Sequence, residues 1–593
     1  MIGTGAAEMS EEPLQEGWLS EVRGGALGYG ERVTCGFLIA SALSFFLFVG
    51  GLSRFSVQYQ TNDDAGMNMF AAGKGLAQQP SEFLLFQHFI IGLALKFLYT
   101  HHPEIPWYGA LMYAYLFLSS LVIGYAILRL NPHSSVVGLW IVTLVLFYLP
   151  VIVSPQFTIC SGYLGIAGIL LLYSTLYKPH DSKTANLCLL TLASGLLILA
   201  GLIRFHGLLL VLLLMAPLYV NVLVNRFPMA LRRMLPILCC VVFISVLLNW
   251  GQHTYYERSP GWERFYSYND LRADFIDRPK ITWNESTQPL FQQIGWSQND
   301  LAMMQNWFYL DPKVYSFQNL LFMSQNTPSL LQHKVVWGKL FDGLRRSFSS
   351  YGGIAALLLC VLLLTKGVRI TQSFAVLALV WYSSLFAGIS IVERNPPLRV
   401  WLVMLFGLYV MELVLWCQVC ERRPVGQSAN TKQRLSNGIL CFLGVALYTV
   451  CCWGVVKAVS EQSYAQQLAQ KSLRDDLARL QPRADQLFVI WGRAFPYEGF
   501  QLPTQAEPVA SEMQLLGLGV GNHEPFVQNR LRTFGIDDLY QSFYTREDVF
   551  LIGTERINRL LVQYIQEHYQ TRVEVRTVFQ GMTFTVSKVR KLI

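Results

Sequence analysis

Charge is scarce in this sequence. Of its 593 residues, 14% are Asp, Glu, Lys or Arg and 53% are hydrophobic, with a mean hydropathy of +0.35. Soluble domains carry about 25% charged residues, so an ordinary soluble fold is excluded. Cysteine is absent from the two large polar regions, 251–350 and 458–593, and nearly all of the 11 cysteines fall in apolar runs. That excludes a disulfide framework and a cysteine zinc site. The pair Cys417-x-x-Cys420 closes an apolar run without histidine partners and reads as filler at a membrane boundary. A cleaved leader is not expected either. The first 33 residues lack a basic start and carry Glu11, Glu12, Glu16, Glu21 and Glu31. Gly517-Leu518-Gly519-Val520-Gly521 lacks the Lys-Ser/Thr ending of a phosphate loop, and no strand clearly precedes it, so a nucleotide fingerprint is rejected.

What is present is a series of apolar runs. A spanning helix needs about 20 apolar residues. Spans are expected near 34–53, 107–128, 135–153, 157–177, 186–203, 207–224, 234–250, 352–365, 370–391, 399–417 and 436–457, eleven in all. The 352–365 run is short unless 347–353 extends it. The apolar stretch 86–99 is equally short and holds Gln87, His88 and Lys96, so it reads as an interfacial helix. With the N-terminus inside, the inner loops hold twelve basic residues and the short outer loops three: Arg204, Arg394 and Arg399. The positive-inside rule favours this arrangement. It also accounts for the net charge of +8 without a nucleic-acid partner.

The chain thus divides into an inner segment 1–33, a membrane domain 34–457 with outer loops 54–106 and 251–350, and an outer soluble domain 458–593. The last is expected to be α/β: a strand over 486–491, another over 549–553, a helix over 555–569 and a hairpin over 573–586.

This topology puts nearly every unusual polar residue on one side. Asp63 and Asp64 follow the first span, and adjacent carboxylates at a membrane boundary suit a general base or a metal site. The alternative is helix capping by Asn62 or Asp63. Arg204, Arg394 and Arg399 are candidates to grip a phosphate, against snorkelling to lipid headgroups. Loop 251–350 mixes aromatics with Asn and Asp, which fits sugar stacking or an interfacial aromatic belt. Lys74, His88, Gln156, His206, Tyr268, Asn269 and Arg272 are further candidate substrate contacts.

Several short motifs carry a resemblance. They are Asn62-Asp63-Asp64-Ala65-Gly66-Met67, Gln87-His88-Phe89-Ile90-Ile91-Gly92, Pro155-Gln156-Phe157-Thr158, Ile203-Arg204-Phe205 and Arg394-x4-Arg399-Val400. Over roughly residues 34–457 the chain resembles the C-type (GT-C) membrane glycosyltransferases, and more narrowly the bacterial and phage-type O-antigen glucosyltransferases. The resemblance implies an undecaprenyl-phosphate-linked sugar donor and an envelope glycan acceptor. It implies a site on the periplasmic face of the inner membrane. Asp63 or Asp64 would be the base, and Arg204, Arg394 or Arg399 would stabilise the leaving phosphate. Some such enzymes use a divalent ion and some do not, so Mg2+ or Mn2+ at Asp63 and Asp64 stays open. A lipid-linked glycan flippase and an O-antigen polymerase or ligase are the competing classes.

Overall fold

The structure is a computed structural model that describes residues 29–277, 281–327, 337–392, 395–421 and 431–592. Among these, nine helices are long and apolar enough to cross a membrane, and eleven if each of two bent pairs is one span. All eleven coincide with the expected runs, so the chain is an integral multi-pass membrane protein.

Burial sorts the spans. Phe157–Tyr177 is buried along its whole length, while Arg232–Glu257 is mostly exposed on its flanks. Both are apolar all round, as a helix must be when every face meets either protein or lipid. Phe157–Tyr177 is therefore the central post. Its N-terminus is capped by Gln156, whose Oε1 accepts from the Ile159 N–H at 3.1 Å.

The short run near 352–365 is extended by bending. Leu340–Ser349 meets Tyr351–Lys366 at 79°. Ser350 Oγ accepts from the Gly353 N–H at 3.1 Å and so starts a new helix rather than continuing the old one. The preceding turns carry Asp342, Arg345 and Arg346 beside the exposed Phe341, which suits a membrane surface. Phe89–His101 is likewise a short apolar helix, too short to span.

The last span does not stop at the membrane. One helix, Thr431–Leu480, runs for 50 residues and carries the chain into the C-terminal α/β module. The module's sheet has β1 (Leu487–Trp491), β2 (Gln514–Leu518), β3 (Val549–Ile552), β4 (Val573–Gln580) and β5 (Thr585–Lys591), in the order β2-β1-β3-β5-β4. β1 is parallel to both β2 and β3, and β5 is antiparallel to β3 and β4. A strand, β2, does precede the glycine-rich stretch, contrary to the sequence reading. Gln514–Leu518 is five residues long and lacks a clean alternation, so its pattern was weak.

The module is fastened to the membrane domain. Arg530 Nη2 donates to the Gly75 carbonyl at 2.7 Å, and Phe70 stacks on Phe526 with centroids 4.9 Å apart. Gly109, in the second span, lies so close to the Pro503 carbonyl that any Cβ there would collide with it. The aromatics of 251–350 serve this docking. Trp296, Phe308, Tyr309 and Tyr315 are buried in one core with Trp491, Tyr540 and Tyr564 of the module. They are neither an interfacial belt nor, for the most part, a sugar surface.

Candidate active site

The membrane domain and the α/β module enclose a cavity of about 880 Å³. Four segments far apart in sequence bring polar groups to it: Asp63 after the first span, Arg204 between two spans, Arg399 at the start of another, and Arg493 after β1. Phe86, Phe157 and Thr158 complete the membrane-side wall.

The helix Asn62–Ala72 positions the two carboxylates, and it separates them. Its N-cap is Thr61, whose side chain makes no capping bond. Capping by Asn62 or Asp63 is therefore not the role of this motif. Asp63 faces the cavity, its Oδ2 3.8 Å from Arg399 Nη1, and both side chains are partly exposed. Asp64 is fully buried beneath it. Thr61 Oγ1 donates to Asp64 Oδ2 at 3.0 Å, and the Tyr108 hydroxyl and the Phe157 N–H each donate to Oδ1 at 3.1 Å. Tyr108 Oη in turn accepts from Gln87 Nε2 at 3.0 Å. Asp64 is thus a structural clamp that fixes its helix to the end of the central post.

Electrostatics follow from burial. Desolvation raises the Asp63 carboxyl above its ordinary range, against the pull of Arg399, Arg204 and Arg493. Burial and the adjacent Asp63 charge push Asp64 up to about 8, while its three donors pull the other way.

Arg204 projects over the rings of Phe86 and Phe157, at 5.5 and 5.6 Å from their centroids. Such stacking fixes a guanidinium without neutralising it. Arg272 also lines the cavity. Its Nη1 is 2.8 Å from Asp277 Oδ2, Asn269 Oδ1 accepts from its Nη2 at 2.7 Å, and its guanidinium lies 4.9 Å from the Trp307 ring centroid.

Other candidates lie elsewhere. Lys74 pairs with Glu507 at 2.9 Å. His88 caps Phe89–His101 by accepting from the Ile90 N–H, and its Nε2 lies 2.9 Å from the Leu248 carbonyl. Gln156 is a helix cap, His206 is exposed on Phe205–Leu214, and Tyr268 packs on His523. Asn269 serves Arg272. None of these six lines the cavity. Arg394 lies outside the described residues. Trp307, one of the loop 251–350 aromatics considered for sugar stacking, does line the cavity, whereas Arg493 and Glu524, also on its wall, were not singled out in the sequence. Arg493 and Glu524 sit just beyond β1 and β2, a position that needed both strands to be recognised.

Asp63 and Asp64 alone do not form a preformed metal cradle. Asp64 already accepts from three donors on two oxygens, and Asp63 faces Arg399. Mg2+ and Ca2+ need free oxygen lone pairs turned to a common point.

The fold and cavity define a multi-pass membrane protein with an arginine-rich chamber closed by an α/β module. No family model matches the sequence, and no curated protein sequence matches it. Two solved structures are similar in overall course. ArnT from Cupriavidus metallidurans bound to undecaprenyl phosphate superposes with a TM-score of 0.46 at 10% identity, covering 93% of this chain and 97% of that one. The same protein in the apo state gives 0.47 at 11% identity with the same coverage. The likeness is one of chain course.

Proposed function

We propose that the protein is a GT-C-type membrane glycosyltransferase. It transfers a sugar from a polyprenyl-phosphate-linked donor to a cell-envelope glycan on the periplasmic face of the inner membrane. The observation that carries this reading is the convergence of Asp63, Arg204 and Arg399 on one cavity at the junction of membrane spans and soluble module.

In the proposed step, Asp63 removes the proton of an acceptor hydroxyl. The oxygen attacks the anomeric carbon, and the bond from that carbon to the phosphate oxygen breaks. The electron pair leaves on the lipid phosphate, whose growing charge Arg204 and Arg399 oppose. A base with a raised pKa suits this work near neutral pH. The lipid tail would lie between spans, next to the apolar rings of Phe86 and Phe157.

A flippase reading would favour polar groups at mid-membrane. Glu412 is one such group, fully buried within Leu398–Glu421, but it does not line the cavity. The test is sugar transfer by purified protein from a panel of polyprenyl-monophosphate sugars to envelope glycans, wild type beside Asp63→Asn. Transfer by the wild type that the variant loses supports the reading. Neither transfer nor donor hydrolysis with any member, in folded protein, would sink it in favour of flippase or polymerase.

A further inference from the structure

The α/β module brings a second set of groups to the cavity that the transfer step leaves unused. Strand β1 has β2 on one side and β3 on the other, so the chain's progress across the sheet reverses at β1. In open α/β sheets the crevice outside the strands' carboxyl ends, at such a reversal, is where ligands bind. Here all three carboxyl ends open into the cavity: Gly492 and Arg493 after β1, Gly519 and Gly521 after β2, and Thr554 after β3.

One side chain on this wall has a buried oxygen without a hydrogen-bond partner among the described residues. It is Glu524, which is 1% exposed and lines the cavity, and the oxygen is Oε1. It occupies the N-cap position of Pro525–Thr533 but makes no capping bond. Instead the carboxyl folds back over Gly521, where a Cβ would come within 2.3 Å of Oε1. Glycine at 521 is what lets it lie there. Burial pushes this carboxyl up to about 8, with no cation to hold it down. An unsatisfied buried polar group costs stability, so a ligand that satisfies it gives it a purpose.

The neighbouring turn points the same way. Trp307 lines the cavity with a backbone φ of +70°, a region a bulky side chain rarely adopts. Asn522 Nδ2 holds its carbonyl at 2.7 Å. One short turn, Asn522-His523-Glu524, therefore fixes both a strained aromatic and a carboxyl with an unpartnered oxygen. Arg272 packs on one face of the Trp307 ring, 4.9 Å from its centroid, so a ligand would use the ring's other face, and an aromatic face beside a hydrogen-bonding acid suits a hydroxyl-bearing ring. Arg272 and Arg493 on the same wall disfavour a cationic ligand.

We propose that this strand-end crevice is a glycan-binding subsite for the acceptor, with Glu524 bonding a ring hydroxyl and Trp307 offering its apolar face. This rests on the transferase reading. The spacing agrees. Asn62–Ala72 lies along the cavity with Asp63 in its first turn, and Phe70, near its other end, stacks on Phe526, two residues past Glu524. Seven residues of helix span about 10 Å, the reach of a short oligosaccharide. An acceptor held at Glu524 can therefore present a hydroxyl to Asp63.

The test is binding of defined di- to tetrasaccharides to the full chain in lipid nanodiscs without donor, read by saturation-transfer NMR and calorimetry. At least one glycan should bind. Glu524→Ala should weaken it by about tenfold, the worth of one buried hydrogen bond, and Glu524→Gln by less than about threefold. Gly521→Ala, which displaces the carboxyl without removing it, should act like Glu524→Ala. Glu524→Ala should also raise the unfolding temperature, the opposite of what a structural role would give. Failure of every glycan to bind, or unchanged binding in both Glu524→Ala and Gly521→Ala, would overturn the subsite. Binding by a wild type that transfers no sugar from any polyprenyl-monophosphate donor would overturn the transferase reading instead. Transfer with an unchanged acceptor KM in Glu524→Ala would overturn the subsite and leave the transferase.

Discussion

Asp64 Oδ1 accepts the Phe157 N–H at 3.1 Å, across 93 positions of sequence. That bond turns an adjacent pair of acids into two different devices. Asp63 keeps its carboxylate in the cavity, and Asp64 spends its own on Thr61, Tyr108 and Phe157. Asp63→Asn should lower transfer by about a hundredfold or more, the usual worth of a general base, with the unfolding temperature unchanged. Asp64→Ala should destabilise by about 3 kcal/mol or more, because it strands buried donors. Activity and thermal unfolding of both variants, measured together, check the division. Equal loss of stability in the two would contradict it.

The same division sets a pH signature. Asp63 acts deprotonated, and burial raises its pKa. Transfer is then present above that raised value and is lost as pH falls through it, in a limb above the ordinary carboxylate range. Arg399 opposes the rise, so Arg399→Gln should move the limb to higher pH. A kcat/KM profile with its acidic limb at an ordinary aspartate value, or one that Arg399→Gln leaves in place, would remove Asp63 as the base.

The two arginines should separate by donor rather than by acceptor. Arg204 is held over Phe86 and Phe157, and Arg399 faces Asp63. Alanine at either should raise the donor KM by about tenfold or more, the scale of one charge-assisted bond to phosphate. Lysine at 204 should rescue little, because it lacks the planar group that stacks. An acceptor KM that moves instead would place the phosphate elsewhere.

How much of this could be read from the sequence depended on range. The spans were legible because each is a local apolar run; the 352–365 run was visibly too short to cross, but the 79° bend at Ser350 that extends it was not. Asp63, Arg204 and Arg399 were legible as charges where the topology leaves few. The contrast between Asp63 and Asp64 was not, because it rests on Tyr108 and Phe157, which no local pattern ties to residue 64. His88 and Gln156 looked like site residues since they are polar at the ends of apolar runs; their side chains cap helices there. The aromatics of 251–350 looked like a sugar surface since their partners, Trp491 and Tyr540, lie some 200 residues away in a different fold element.

Metal removal should change nothing. The carboxylate pair offers no shared, free oxygen face, so exhaustive treatment with EDTA should leave transfer within about twofold of the untreated rate, and added Mg2+ or Mn2+ should not raise it. A rate that collapses with EDTA and returns with either ion would mean that the donor's own phosphate oxygens assemble a metal site with Asp63.

The docking of the module on loop 54–106 should matter to catalysis at a distance. Arg530 is buried, reaches the Gly75 carbonyl with Nη2 at 2.7 Å, and bonds Gln514 of β2 with Nη1. It thus ties β2 to the far end of the helix that carries Asp63. Arg530→Ala touches neither proposed substrate site, yet it should cost about 1.5–3 kcal/mol, as loss of a buried charged donor does. It should also lower kcat more than either KM, because the helix is then free to shift Asp63 against Arg399. Lysine at 530 can reach one partner but not both, so it should recover part of the stability and less of the rate. A variant with normal kcat and reduced stability would show that the contact holds the module on without aiming the base.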